Sequence, residues 1–146
     1  MLDKLDLPPV WLFGFMGLAW AASEIWAPFG DALLWPGRGL IAVGLGIAVW
    51  AVVAFRQART TFIPRQQPSA LVETGPFRFS RNPIYVADLV ILAGWCLSVG
   101  QPLTLVLLWP LKVVLEQRFI LQEEATLSEH LGDVYRDYCD RVHRWV

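Results

Sequence analysis

The chain has 146 residues, 55% of them hydrophobic and only 17% charged, with a mean hydropathy of +0.45. That length holds one domain, and a water-soluble domain of this size carries about a quarter charged residues. A net charge of −1 supplies no basic field for nucleic acid, and two cysteines, Cys96 in an apolar run and Cys139 in a charged tail, make neither a disulfide framework nor a thiolate metal site.

The first nine residues carry Asp3, Lys4 and Asp6 rather than a basic run, and no small-residue cleavage site closes the apolar stretch that follows, so no cleavable signal peptide is expected. That stretch covers 10–27, opened by Pro8 and Pro9 and interrupted only by Glu24. A second has no charge between Arg38 and Arg56. Each reaches the roughly 20 residues needed to cross a bilayer only with its flanks, which predicts two short spans. Pro28, Gly30, Pro36 and Gly37 mark a loop between them.

The segment 56–82, with Pro64, Pro68, Gly75 and Pro76, is too polar to span and too punctuated for one helix. The apolar region 83–121 is nearly twice one span, and Gly100-Gln101-Pro102 at its midpoint has turn chemistry. Two helices, 83–99 and 103–121, joined by a tight turn, are favoured over one span at 89–111, which leaves that break at mid-bilayer. In the polar tail 122–146, Leu127 and Leu131 lie one turn apart, Gly132 can end their helix, and a second short helix can run through Tyr135 and Tyr138. The expected fold is an all-α integral membrane protein of about four transmembrane helices, the last two a tight hairpin, with a helical C-terminal tail.

Four spans put Lys4, Arg56, Arg59, Arg65, Arg78, Arg81, Arg118, Arg136, Arg141 and Arg144 on one side and Arg38 alone on the other. The bias makes the crowded side cytoplasmic. A multi-pass protein of a bacterial inner membrane is expected, its functional site facing the cytoplasm.

Three constellations bear chemistry. In 74–85, Pro83 suits the first turn of a helix and Asn82 its N-cap, where exposed N–H groups favour an anion. Arg78 and Arg81 add positive charge; a basic segment touching lipid headgroups is the plainer alternative. Glu123-Glu124 follow the last apolar run; such acids are usually solvated, but the same face would suit a ligand with both carboxylate and ammonium. Asp88 and Lys112 fall within a helical turn of each other across the hairpin, as a structural ion pair or as the lining of a polar cavity. His130 and His143 have no ligand spacing, so no metal is expected. No phosphate-binding loop, dinucleotide fingerprint or nucleophile elbow is present.

Arg81-Asn82-Pro83-Ile84-Tyr85, preceded by Leu71-Val72 and Gly75-Pro76-Phe77, resembles the isoprenylcysteine carboxyl methyltransferase and phospholipid methyltransferase superfamily. Its usual form is Leu-Val, Gly-Pro-Tyr-Arg, then Arg-His-Pro-x-Tyr. Glu123-Glu124, Leu127, Leu131-Gly132, Tyr135, Tyr138 and Arg141 resemble the family's ending, so the match covers 60–146. The resemblance implies a membrane enzyme using S-adenosylmethionine. Carried over by motif, Leu71, Val72, Phe77, Arg81, Asn82, Pro83, Ile84, Tyr85 and Glu123 line the cofactor pocket, with Ser69 and Ala70 adjacent. Arg118, displaced in register, is the counterpart of an arginine that contacts substrate. One domain, 1–146, is implied, with two spans in 1–58 and the cofactor-binding region in 59–146. Asn82 stands for the usual His, which removes any role needing a titrating imidazole. Phe77 stands for Tyr and loses a hydroxyl.

Methyl transfer from a sulfonium requires mainly alignment and exclusion of water. An ammonium acceptor must first lose a proton, and no residue stands out as a general base. An anionic lipophilic acceptor, an isoprenylcysteine-type carboxylate or a related small lipid or thiol, is therefore expected, reached from the lipid bilayer. The alternatives are a phospholipid headgroup N-methyltransferase, or a non-catalytic membrane subunit or permeation protein of the same fold.

Overall fold

A computed structural model describes residues 6–25, 31–58 and 71–146. Asp3, Lys4, Pro28, Gly30, Arg59, Pro64, Arg65, Pro68, Ser69 and Ala70 lie outside them. The described residues form α1 (Pro8–Ser23), α2 (Leu34–Gln57), α3 (Pro83–Ser98), α4 (Leu108–Leu115), α5 (Leu121–Leu131) and α6 (Asp133–Arg141). Short 3-10 turns precede α2, α3 and α4, and a π-helical turn, Glu116–Ile120, joins α4 to α5. Pro8 and Pro83 open α1 and α3, where an absent N–H leaves no bond unmade. Pro36 and Gly37, expected in a loop, lie inside the first turns of α2; a proline there removes no intrahelical bond either.

Antiparallel α2 and α3 pack along a line of small residues. Gly37, Gly44 and Ala51, seven apart on α2, are buried. A Cβ on Gly37 would stand 2.6 Å from the Gly94 carbonyl oxygen, and one on Gly44 2.6 Å from Ile91 Cγ1. Backbones this close require that neither helix present a larger side chain. The principal core lies on the other face of α3. There Tyr85, Leu92 and Cys96 meet Leu12 and Ala19 of α1 and Leu111, Leu115, Phe119 and Ile120. Trp95 Nε1 donates to the Met16 carbonyl at 2.9 Å and fixes α1 against α3.

The expectation of four transmembrane helices is overturned. Among the described residues one helix, Asp31–Gln57 of 27 residues with an 18-residue stretch of mean hydropathy 2.0, is long and apolar enough to cross a membrane. At 16 residues each, α1 and α3 reach about 24 Å at 1.5 Å per residue, short of a hydrocarbon core of about 30 Å. The run from Pro102 to Leu131 passes through 3-10, α, π and α geometry and carries Lys112, Glu116 and Arg118. The turn at Gly100-Gln101 is present, since α3 ends at Ser98 and helix resumes at Pro102, which also removes a single span over 89–111. The multi-pass inner-membrane placement, and the cytoplasmic face deduced from it, depended on four spans and fall with them.

Candidate functional site

The Arg81–Tyr85 motif meets the C-terminal end of the chain. Gly75 takes φ +61, a region that side chains with a Cβ avoid, and turns the backbone into the 3-10 turn Gly75–Arg78. Phe77 thereby enters a cluster with Ala51, Ala54 and Val72 and lies edge-on to Phe55, ring centroids 4.9 Å apart. Tyr138 of α6 donates to the Phe77 carbonyl at 2.7 Å. The chain after α6 is fastened to the motif: Arg81 N donates to the His143 carbonyl at 2.9 Å, and Ser80 Oγ and Asn82 Nδ2 donate to the Arg144 carbonyl at 3.2 and 3.1 Å.

Asn82 does not cap α3 with its side chain, as the sequence had suggested. Its amide is taken by Arg144, its backbone N–H donates to Ser80 Oγ at 3.1 Å, and its carbonyl accepts from Val86 N. It splices the tail to the helix start.

Four charged side chains form a network. Arg144 grips both oxygens of Glu124 through Nε at 3.1 Å and Nη2 at 2.7 Å, and reaches Glu116 with Nη1 at 2.8 Å. Arg81 pairs with Glu124 at 3.3 Å and also contacts Cys139 Sγ, while its buried Nε has no acceptor. Trp145 Nε1 donates to the second Glu116 oxygen at 3.2 Å.

Glu123 stands apart from this network. Tyr85 Oη donates to its Oε1 at 2.8 Å, and no Lys or Arg pairs with it among the described residues. Burial pushes its carboxyl above the usual range, with the Tyr85 hydrogen bond opposing. Burial and the Glu123 charge together push the Tyr85 phenol far above its ordinary value, so it remains a neutral donor. Its ring stacks on Phe119 of the π turn, centroids 6.4 Å apart.

The fold thus brings Arg81, Asn82, Pro83, Tyr85 and Glu123 to one locus. Leu71 packs with Tyr135, Tyr138 and Val142, and Val72, Phe77 and Ile84 pack against α2, forming the wall behind the motif. Arg118 is elsewhere: its guanidinium pairs with Asp6 at 3.1 Å and lies over Trp11 at 5.4 Å. Asp88 and Lys112 do not pair. Asp88 is buried with Oδ2 unpartnered, whereas Lys112 Nζ sits over Trp109 and Trp145 at 5.6 and 5.3 Å. No cluster able to hold a metal occurs among the described residues. Glu116, Arg144 and Trp145 were not anticipated. The π turn between Glu116 and Glu124 breaks the regular helical spacing that would otherwise relate them, and nothing local announces Arg144.

Residues 32–134 match the model of a family described as phospholipid methyltransferase. The chain belongs to that family. The matched stretch takes in α2, the Arg81–Tyr85 motif and Glu123-Glu124. An uncharacterised protein of Haemophilus influenzae is 35% identical over 63 residues, which is 43% of this chain and all of that protein. Family membership makes the chain an S-adenosylmethionine-dependent methyltransferase and displaces the reading as a non-catalytic subunit. The apolar helix Asp31–Gln57 supports association with lipid.

Proposed function

We propose that the protein transfers a methyl group from S-adenosylmethionine to the amine nitrogen of a phospholipid headgroup, and that the chain 1–146 acts in this as a single unit. The cofactor's methionine end is assigned to the junction where the first turn of α3 meets Glu123. The observation that carries this is Glu123 itself, a half-buried carboxylate held by the Tyr85 hydroxyl and without a cationic partner among the described residues. Arg81 adds a buried Nε without an acceptor. A ligand bearing both an ammonium and a carboxylate satisfies these two groups together, so the residues present fit the cofactor.

When bound, S-adenosylmethionine would supply an activated methyl group to an amine nitrogen that has already given its proton to solvent, and the sulfur would leave as a neutral thioether. The chain's own work is positioning. Tyr85 holds the Glu123 carboxylate at 2.8 Å, the Arg144 network holds Glu124 beside Arg81, and Phe77, Val72 and Ile84 close the wall against water. Arg118, the candidate for recognising a carboxylate acceptor, is committed to Asp6 and Trp11. That favours an amine over an isoprenylcysteine carboxylate, as does the family's description.

The test is to supply methyl-labelled S-adenosylmethionine with vesicles containing phosphatidylethanolamine, or with a farnesylcysteine carboxylate. Label is expected in the phospholipid, with a rate that climbs through the alkaline range as the headgroup ammonium loses its proton. Label in a methyl ester, with a rate indifferent to pH there, contradicts the amine reading.

A further inference from the structure

A shallow apolar groove of about 360 Å³ runs between α3 and the start of the following helix, lined by Leu89, Leu105, Val106, Leu108, Trp109 and Lys112. Its one charge is Lys112. An acid four residues from a helical lysine is within reach of it, and Glu116 occupies such a position. Both Glu116 oxygens are engaged, one by Arg144 and one by Trp145. The ammonium instead lies over the indoles of Trp109 and Trp145, which attract a cation without neutralising it. A positive charge without a counter-anion among the described residues therefore lines an apolar groove.

We infer that this groove seats an acyl chain of a phospholipid and that Lys112 binds its phosphodiester. The assignment rests on the phospholipid reading of the acceptor and names the residues that recognise it. Charge complementarity sets the orientation. The chain lies along Leu89, Leu105 and Leu108, the anion meets Lys112, and the headgroup beyond the phosphate points toward Trp145, which bonds Glu116 within the charged network. A lysine suits a phosphodiester as a mobile point charge. A neutral lipid of the same chain length fills the groove and leaves the ammonium unpaired, so selectivity for phospholipid over diacylglycerol belongs to Lys112.

The test is calorimetric binding of dihexanoylphosphatidylcholine, dihexanoylglycerol and inorganic phosphate to the full chain in detergent. Phosphatidylcholine has the phosphodiester but no nitrogen left to methylate, so its binding is independent of which acceptor is used. Lys112→Gln is expected to weaken phosphatidylcholine binding by roughly tenfold or more, the loss of one charge-assisted contact, and to leave dihexanoylglycerol unchanged. Lys112→Arg should hold affinity within roughly threefold, because the charge is kept. Leu105→Trp, which fills the groove, should weaken both lipids. S-adenosylmethionine affinity, unchanged in each variant, reports that the fold is intact. Equal phosphatidylcholine affinity for Lys112→Gln and the unaltered protein overturns the assignment, and so does inorganic phosphate binding as tightly as the lipid. Should this pattern hold while phosphatidylethanolamine is never methylated, the acceptor reading fails and the groove assignment stands. Methylation of phosphatidylethanolamine without this pattern removes the groove alone.

Discussion

Glu123 keeps a carboxylate where burial disfavours charge, and that has a consequence for stability. Its folded pKa lies above the ordinary value of 4.5. The folded state then binds the proton more tightly than the unfolded state, so stability falls as pH rises through and beyond that value. Glu123→Gln removes the ionisation and can still accept the Tyr85 hydroxyl. The ligand-free variant should show a higher thermal midpoint than the unaltered protein at neutral pH, with the gap closing on acidification toward pH 4.5. A lower midpoint at neutral pH would contradict the description of Glu123 as a desolvated carboxylate without a cationic partner among the described residues. At this scale Arg81, Asn82, Tyr85 and Glu123 were legible because two compact motifs carry them. Their neighbours were not. Arg144 reaches Glu124 only because the chain after α6 folds back onto Ser80, Arg81 and Asn82, and no local pattern encodes that return. Arg118 lies away from the Glu123 junction, paired with Asp6, which is 112 positions away in sequence and which motif register does not reveal. Asn82 at the head of a helix looked like a cap because sequence shows no competing carbonyl.

Helix existence was readable from the apolar runs, and the chemistry at helix ends, Pro8 and Pro83 at the starts and Gly132 at the end of α5, fixed several boundaries. What a helix packs against was not readable. Nothing in the apolar runs shows that Leu12, Ala19, Leu92 and Cys96 bury one another between α1 and α3. The π turn at Glu116–Ile120 also shifts the helical phase between α4 and α5, which hid the convergence of Glu116 with Glu124. The α2–α3 contact is the element-scale feature most exposed to test. A Cβ on Gly94 would stand 2.5 Å from the Gly37 carbonyl oxygen and 2.7 Å from Ile41 N. Backbone cannot give way there, so Gly94→Val should destabilise the protein by about 1–3 kcal/mol in denaturant unfolding. Gly46→Ala on the same α2, with nothing within 4 Å of the added carbon, should be neutral or stabilising by up to about 1 kcal/mol. Equal effects would mean that the two helices do not touch through their backbones.

Across the whole molecule, α2 has two uses. Its small residues Gly37, Gly44 and Ala51 dock α3, while Val43, Val49 and Trp50 face outward, as expected of the one helix apolar enough to enter lipid. Its C-terminal end, with Ala51 and Ala54, backs Val72 and Phe77, so the apolar helix and the polar site share a wall. The site itself is assembled from the start of α3, the first turn of α5 and the end of the chain, segments held together by Tyr85–Glu123, Arg81–Glu124 and Asn82–Arg144. The central claim is that this junction holds the cofactor through Glu123. Calorimetric titration of S-adenosylmethionine into the full chain, Glu123→Gln and Glu129→Gln tests it most directly, since Glu129 lies exposed further along α5. Loss of one charge-assisted hydrogen bond predicts a fall in affinity of about 1.5–3 kcal/mol for Glu123→Gln and none for Glu129→Gln. Equal affinity in all three proteins would contradict the account.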